Sequence, residues 1–176
     1  MKKMIAIVLC LVLALSLISC GEKSTGAPPA AEFSTVEEAL ETIKAVKEAG
    51  GKMAYPDDDN LYDKEYICLL KEVPLPGFEQ EAIMLVSQGI VAYYQNEKSR
   101  ATFYWDKGYE QTEELTERYS LERFENTKFY FGESGNDIFI YWWENGDQFS
   151  LAYPADRNIL PQDIIGHLEV EKYDIG

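Results

Sequence analysis

The 176-residue sequence contains a single histidine, His167, and three cysteines. So few imidazoles and thiols exclude a structural zinc site of the usual ligand sets. No Gly-x-Ser-x-Gly elbow or acyl-transfer Cys motif accompanies His167, so a His-based triad has no nucleophile to act on. His167, near the end of a short helix, is expected to face the helix dipole instead. No Gly-rich phosphate loop is present. The expected catalytic, metal and cofactor complement is therefore none. Cation is also scarce: 16 Lys and Arg stand against 31 Asp and Glu, a formal charge of −15. Such a surface repels nucleic acid and anionic lipid head groups. An acidic loop at Asp57-Asp58-Asp59 does not repair the metal deficit. Neither register from Asp57 or Asp58 puts glycine at the sixth position that a calcium loop requires.

Long apolar runs are also rare, with one exception. Met4 to Ile18 is nearly unbroken, follows Lys2-Lys3, and is short for a bilayer span. It ends in Leu17-Ile18-Ser19-Cys20. This tetrapeptide resembles the lipobox of bacterial lipoproteins: an aliphatic residue, an aliphatic or small one, a small one, then Cys. The resemblance implies cleavage before Cys20, a diacylglyceryl group on its thiol, and anchorage at the extracytoplasmic face of the cell membrane. An ordinary cleaved signal or a single anchor helix is the competing reading. Gly21 to Ala31, small and polar with Pro28-Pro29, fits a tether. The expected organisation is a signal peptide at 1–19, a lipidated tether at 20–31 and one domain at 32–176. Loss of Lys2 and Lys3 leaves 14 basic residues and a charge of −17. With Cys10 in the leader and Cys20 lipidated, Cys68 is left alone. It cannot form an internal disulfide, and it is expected to be a small buried hydrophobe.

Within the domain, Ser34 as N-cap and Glu37 form a capping box, and Val36, Leu40, Ile43 and Val46 repeat at helical spacing. A helix is expected over 35–49, stopped by Gly50-Gly51. Strands are expected at 52–55, 65–73 and 81–87, at 90–95 paired with 100–106, and at 168–173. Short helices are expected at 111–119 and 161–167. The sharpest signal is Asn145-Gly146, a two-residue hairpin turn. It sets Glu144 opposite Asp147 and Ile138 opposite Tyr153. One face then carries Ile138, Ile140, Trp142, Phe149, Leu151 and Tyr153, a core face. The Glu144–Asp147 pair is expected to be solvated.

The hairpin at 90–105 superposes on 138–153 at an offset of 48, with two of sixteen positions identical. This suggests a repeated hairpin-then-helix unit. The ending of the chain also resembles hairpin modules of bacterial envelope domains. The expected fold is α+β, a curved antiparallel sheet of hairpins packed with an N-terminal helix and one or two short helices.

Aromatic residues make up 13% of the chain. Those on the second face of the hairpins, Tyr93, Tyr104, Tyr141 and Trp143, are the candidate binding face, since Tyr and Trp offer apolar contact with a polar handle. Burial of these rings under a helix is the rival expectation. The function expected is that of a lipid-anchored envelope protein with a domain that binds a ligand or partner: a glycan, a cationic peptide or another envelope protein. A purely structural envelope protein and a carboxylate-based hydrolase are the alternatives.

Overall fold

The computed structural model describes residues 31–50, 61–86, 88–107, 118–155 and 159–176. The expectations for 1–30, 52–55 and 57–59, and for nearly all of the helix at 111–119, lie outside the described residues. In chain order the elements are β1 (Glu32–Phe33), α1 (Val36–Glu48), a 3-10 turn (Leu61–Asp63), β2 (Tyr66–Leu70), β3 (Glu79–Leu85), β4 (Gly89–Gln95), β5 (Arg100–Lys107), β6 (Ser120–Phe124), β7 (Thr127–Ser134), β8 (Asp137–Glu144), β9 (Asp147–Pro154), α2 (Pro161–Ile165) and β10 (Val170–Asp174). Antiparallel sheet dominates. One sheet has eight strands in the order β1-β3-β4-β5-β9-β8-β7-β6, and a second pairs β10 with β2.

Alternation explains the large sheet. In β5 the buried residues are Ala101, Phe103 and Trp105, and in β9 they are Asp147, Phe149, Leu151 and Tyr153. The residues between them are half-buried, which is period 2 with one face on the core. The β8–β9 hairpin has the expected register throughout, from Glu144↔Asp147 to Ile138↔Tyr153. Asn145 and Gly146 adopt φ of 54° and 83°, the pair of positive values that a type I′ turn needs. The β4–β5 hairpin closes at Gln95↔Arg100. Its loop is fixed by Asn96, whose Oδ1 accepts from the N–H of Lys98 at 2.9 Å and of Ser99 at 2.8 Å.

The internal repeat is larger than a hairpin. The pairs Leu85↔Ile90, Met84↔Val91, Ile83↔Ala92 and Ala82↔Tyr93 recur 48 residues later as Glu133↔Ile138, Gly132↔Phe139, Phe131↔Ile140 and Tyr130↔Tyr141. The unit is thus the three-stranded meander β3–β4–β5, repeated as β7–β8–β9. The two meanders join where β5 meets β9, and there Phe103 faces its own equivalent, Leu151. A pseudo-twofold axis normal to the sheet passes through that pair, so each face of one meander continues into the same face of the other.

Helix α1 starts one residue later than expected. Thr35, not Ser34, is the N-cap: its Oγ1 accepts from the Glu38 N–H at 3.2 Å, and the Ser34 N–H donates to Glu38 Oε2 at 3.2 Å. Thr35 and Glu38 repeat the spacing of Ser34 and Glu37, and the register with both contacts prevails. Ala39 and Ile43 are fully buried in the main core cluster. Strand β2 is shorter than the expected 65–73. Ile67 to Leu70 are all buried, because this strand is covered on both faces and so reads as an unbroken apolar run.

Strands β6 and β7 have no counterpart among the sequence expectations. Their connections are two-residue turns, at Glu125-Asn126 and Gly135-Asn136. Gly-Asn was a legible hairpin signal, whereas Glu125 sits at φ 53°, a conformation its residue type does not advertise. Asp147 departs from the expected solvation of the Glu144–Asp147 pair. It is 2% exposed, whereas Glu144 is exposed. The turn does not solvate both acids, because Tyr66 and Lys107 enclose Asp147.

Candidate binding face

The four rings singled out in the sequence lie on the sheet face opposite the core, and each is half-buried. Cross-strand pairing arranges the centre of this face in two rows. One row runs Tyr93, Thr102, Ala152, Phe139; the other runs Val91, Tyr104, Ser150, Tyr141. The pseudo-twofold exchanges the rows: Tyr93 is equivalent to Tyr141, and Thr102 to Ser150. Thr102 and Tyr104 on β5 and Ala152 and Ser150 on β9 therefore lie between walls formed by Tyr93 and Val91 on β4 and by Phe139 and Tyr141 on β8. Neither row contains a charge. The walls stand about 14 Å apart, three strand spacings.

The rings are held in place by neighbours. The Arg100 guanidinium lies over the Tyr93 ring at 4.7 Å, and Arg100 is itself held by Glu81, with Nη2 to Oε2 at 2.6 Å. Phe139 is nearly parallel to Tyr141, with centroids 6.2 Å apart and planes at 8°. Tyr119 meets Tyr141 edge-on at 5.3 Å. It passes over Gly132, where a Cβ would come within 2.7 Å of the Tyr119 ring. Glycine at 132 is thus required by close approach. Burial and a hydrogen bond with Tyr119 push the Tyr141 hydroxyl up to about 12, so it stays protonated at neutral pH. The Tyr104 hydroxyl donates to Asp106 Oδ2 at 3.2 Å. Trp143 packs on Tyr130 at 6.0 Å. Its indole Nε1 is shielded from solvent and has no hydrogen-bond partner among the described residues.

Two acids at the end of the large sheet, Asp106 and Asp147, are each engaged by a lysine. Asp106 is bound by Lys64, with Nζ to Oδ1 at 3.0 Å. Asp147 is bound by Lys107, with Nζ to Oδ1 at 3.3 Å, and by the Tyr66 hydroxyl at 2.9 Å. By strand parity they belong to opposite faces of the sheet: Asp106 goes with Tyr104, and Asp147 with Phe149. This cluster was missed in the sequence, because Tyr66 and Lys64 come from far along the chain. A surface cavity of about 410 Å³ lined by Lys71, Glu72, Val73, Pro74, His167 and Glu169 is polar. Its charges include the exposed Lys71–Glu169 pair at 3.0 Å, a solvated contact of small energy. His167 is exposed and lies beyond the end of α2.

Cys68 is 2% exposed on β2. Burial first, and then the Asp147 carboxylate, push its thiol from 9.0 up to about 12. The thiolate is the reactive form, so native protein should resist alkylation at pH 8 and react fully only in denaturant. Rapid labelling of native Cys68 would contradict its burial. The folded thiol ionises less readily than the unfolded one, so its contribution to stability is complete below pH 9.0 and is lost as pH rises towards about 12.

Comparisons with protein-family models, with curated proteins and with solved structures return no match.

Proposed function

We propose that this chain is a lipid-anchored protein of the extracytoplasmic membrane face, whose domain binds a ligand or partner through the aromatic face of its large sheet. In this reading the domain is an α+β fold. A curved sheet of hairpins buries one face under α1, α2 and the β2–β10 pair, and offers the other to the ligand. The observation that carries the reading is the placement of Tyr93, Tyr104, Tyr141 and Trp143 together on the non-core face, each half-buried and none in the core cluster. Tyr and Trp side chains outside a core, each with an apolar body and a polar tip, are the residue types that binding surfaces favour.

The anchor is tested separately from the face. Two acyl chains hold firmly where one holds marginally, at about 0.8 kcal/mol per buried methylene. Cys20→Ala should therefore leave the precursor unprocessed or release the protein to the soluble fraction on cell fractionation. Normal maturation with full membrane retention in that variant would refute lipidation at Cys20. The binding face is tested by alanine substitution of the four rings, scored as loss of ligand capture without loss of folding.

A further inference from the structure

We propose that Asn145 is a modification site of the folded protein: its side-chain amide is lost by attack of the Gly146 backbone nitrogen when the β8–β9 turn flips from type I′ to type II′. The site is independent of the aromatic face and of lipidation.

The chemistry needs only the turn and solvent water. The Gly146 nitrogen, on losing its proton to solvent, bonds to Asn145 Cγ. The Cγ–Nδ2 bond breaks, and ammonia leaves with a proton. A five-membered imide remains. Water then opens it at either carbonyl, leaving aspartate or its isomer, in which the main chain runs through Cβ. Ring closure requires Cβ and the Gly146 nitrogen to be eclipsed about the Cα–C bond. For an L residue this is ψ of about −120°, the value at the first central residue of a type II′ turn and not of a type I′ turn.

The turn is type I′, with φ of 54° at Asn145 and 83° at Gly146. Type II′ differs by rotation of the one peptide between them, and both types close a two-residue hairpin. The Glu144↔Asp147 pair can therefore stay in place while that peptide turns. Glycine takes either sign of φ, and a Cβ built at Gly146 meets nothing within 4 Å, so nothing obstructs the flip. Both turn residues are exposed, and the Asn145 amide has no hydrogen bond among the described residues. Asn96 in the β4–β5 hairpin is the contrast. Its Oδ1 is held by the N–H groups of Lys98 and Ser99, and Glu97 rather than glycine follows it. Both products at 145 bear on Asp147. Aspartate still favours the type I′ turn but adds a charge between Glu144 and Asp147. The isomer adds a main-chain atom to a loop whose length sets the register. Asp147 is the buried residue that closes this hairpin, held by Tyr66 at 2.9 Å and Lys107 at 3.3 Å.

The test is peptide mapping by mass spectrometry of the detergent-solubilised full chain, incubated in mildly alkaline buffer with and without urea. The native chain should show the amide-to-acid mass gain at position 145, with part of the product labelled by a methyltransferase specific for isoaspartate. Conversion should be about ten- to a hundredfold slower than in urea, because a non-glycine residue reaches the type II′ position only as a strained minor conformer. Asn145→Gly, which leaves a Gly-Gly hairpin turn, should show no gain there, and the native Asn96 amide should persist. Native protection beyond about a thousandfold would overturn the flip, since only global opening would then expose the site. A native Asn96 that converts as fast as Asn145 would overturn it too. The aged chain, separated by charge, should unfold at a lower urea concentration than the unaged parent, while incubated Asn145→Gly should not shift. Equal midpoints for aged and unaged chains would overturn the effect on Asp147.

Discussion

Trp142→Ala should destabilise the protein by about 3–5 kcal/mol, and Trp143→Ala by about 1–2 kcal/mol. The two residues are neighbours of the same type on one strand, so the difference isolates the face. Trp142 is 2% exposed. Its ring stacks on Phe149 with centroids 5.1 Å apart and packs on Phe129 at 5.8 Å and Phe103 at 6.2 Å. Truncation would open a cavity bordered by four strands that are fixed by their ladders and collapse poorly. Trp143 instead faces the half-buried side, and its shielded Nε1 lacks a hydrogen bond among the described residues. Removing an unsatisfied donor returns part of what the lost packing costs. Urea unfolding of both variants, compared at unchanged m, measures the difference. Equal losses would mean that both faces are buried alike.

The physical reason why some of this fold could be read from sequence, and some could not, lies in the range of the forces involved. The β8–β9 register was legible to the residue, because a two-residue turn and a period-2 pattern leave one consistent pairing. The same holds for the core face of β4–β5, where Ile90, Ala92, Tyr94, Ala101, Phe103 and Trp105 are all buried. The repeat at an offset of 48 was legible as a hairpin but not as a meander. A bulge between Gln80 and Ala82 interrupts β3, and β7 shares little of its sequence. Strand β6 was illegible because its side chains are mostly exposed. An edge strand with few buried positions carries no hydrophobic period to read. The candidate face had the reverse fate. Its four rings were legible from parity alone, but their bracing by Arg100, Phe139 and Tyr119 depends on tertiary placement.

The burial of Asp147 is set by tertiary partners rather than by its local sequence. Parity placed Asp147 on the core face together with Phe149 and Leu151. A charge beside a turn, taken alone, belongs in water. The structure keeps the parity and supplies partners: Tyr66 from β2 donates at 2.9 Å, and Lys107 stands directly across from Asp147 on β5. Lys107 also donates to the Tyr66 hydroxyl, and Lys172 of β10 lies over the Tyr66 ring at 3.6 Å. The cluster thereby ties the small β2–β10 sheet to the end of the large one. Breaking a buried pair by removing one partner costs about 3–5 kcal/mol when the survivor stays buried. Here Lys107 is 37% exposed and can turn to water, so Asp147→Ala should fall near the lower end, about 3 kcal/mol. Tyr66→Phe deletes one donor and leaves the ion pair, so it should cost about 1–2 kcal/mol. In the double variant the losses should fall short of additive by at least about 0.5 kcal/mol, since both substitutions remove the same hydrogen bond. Strict additivity in equilibrium unfolding, or an Asp147→Ala variant as stable as the parent, would show that the two sheets are not joined through this carboxylate.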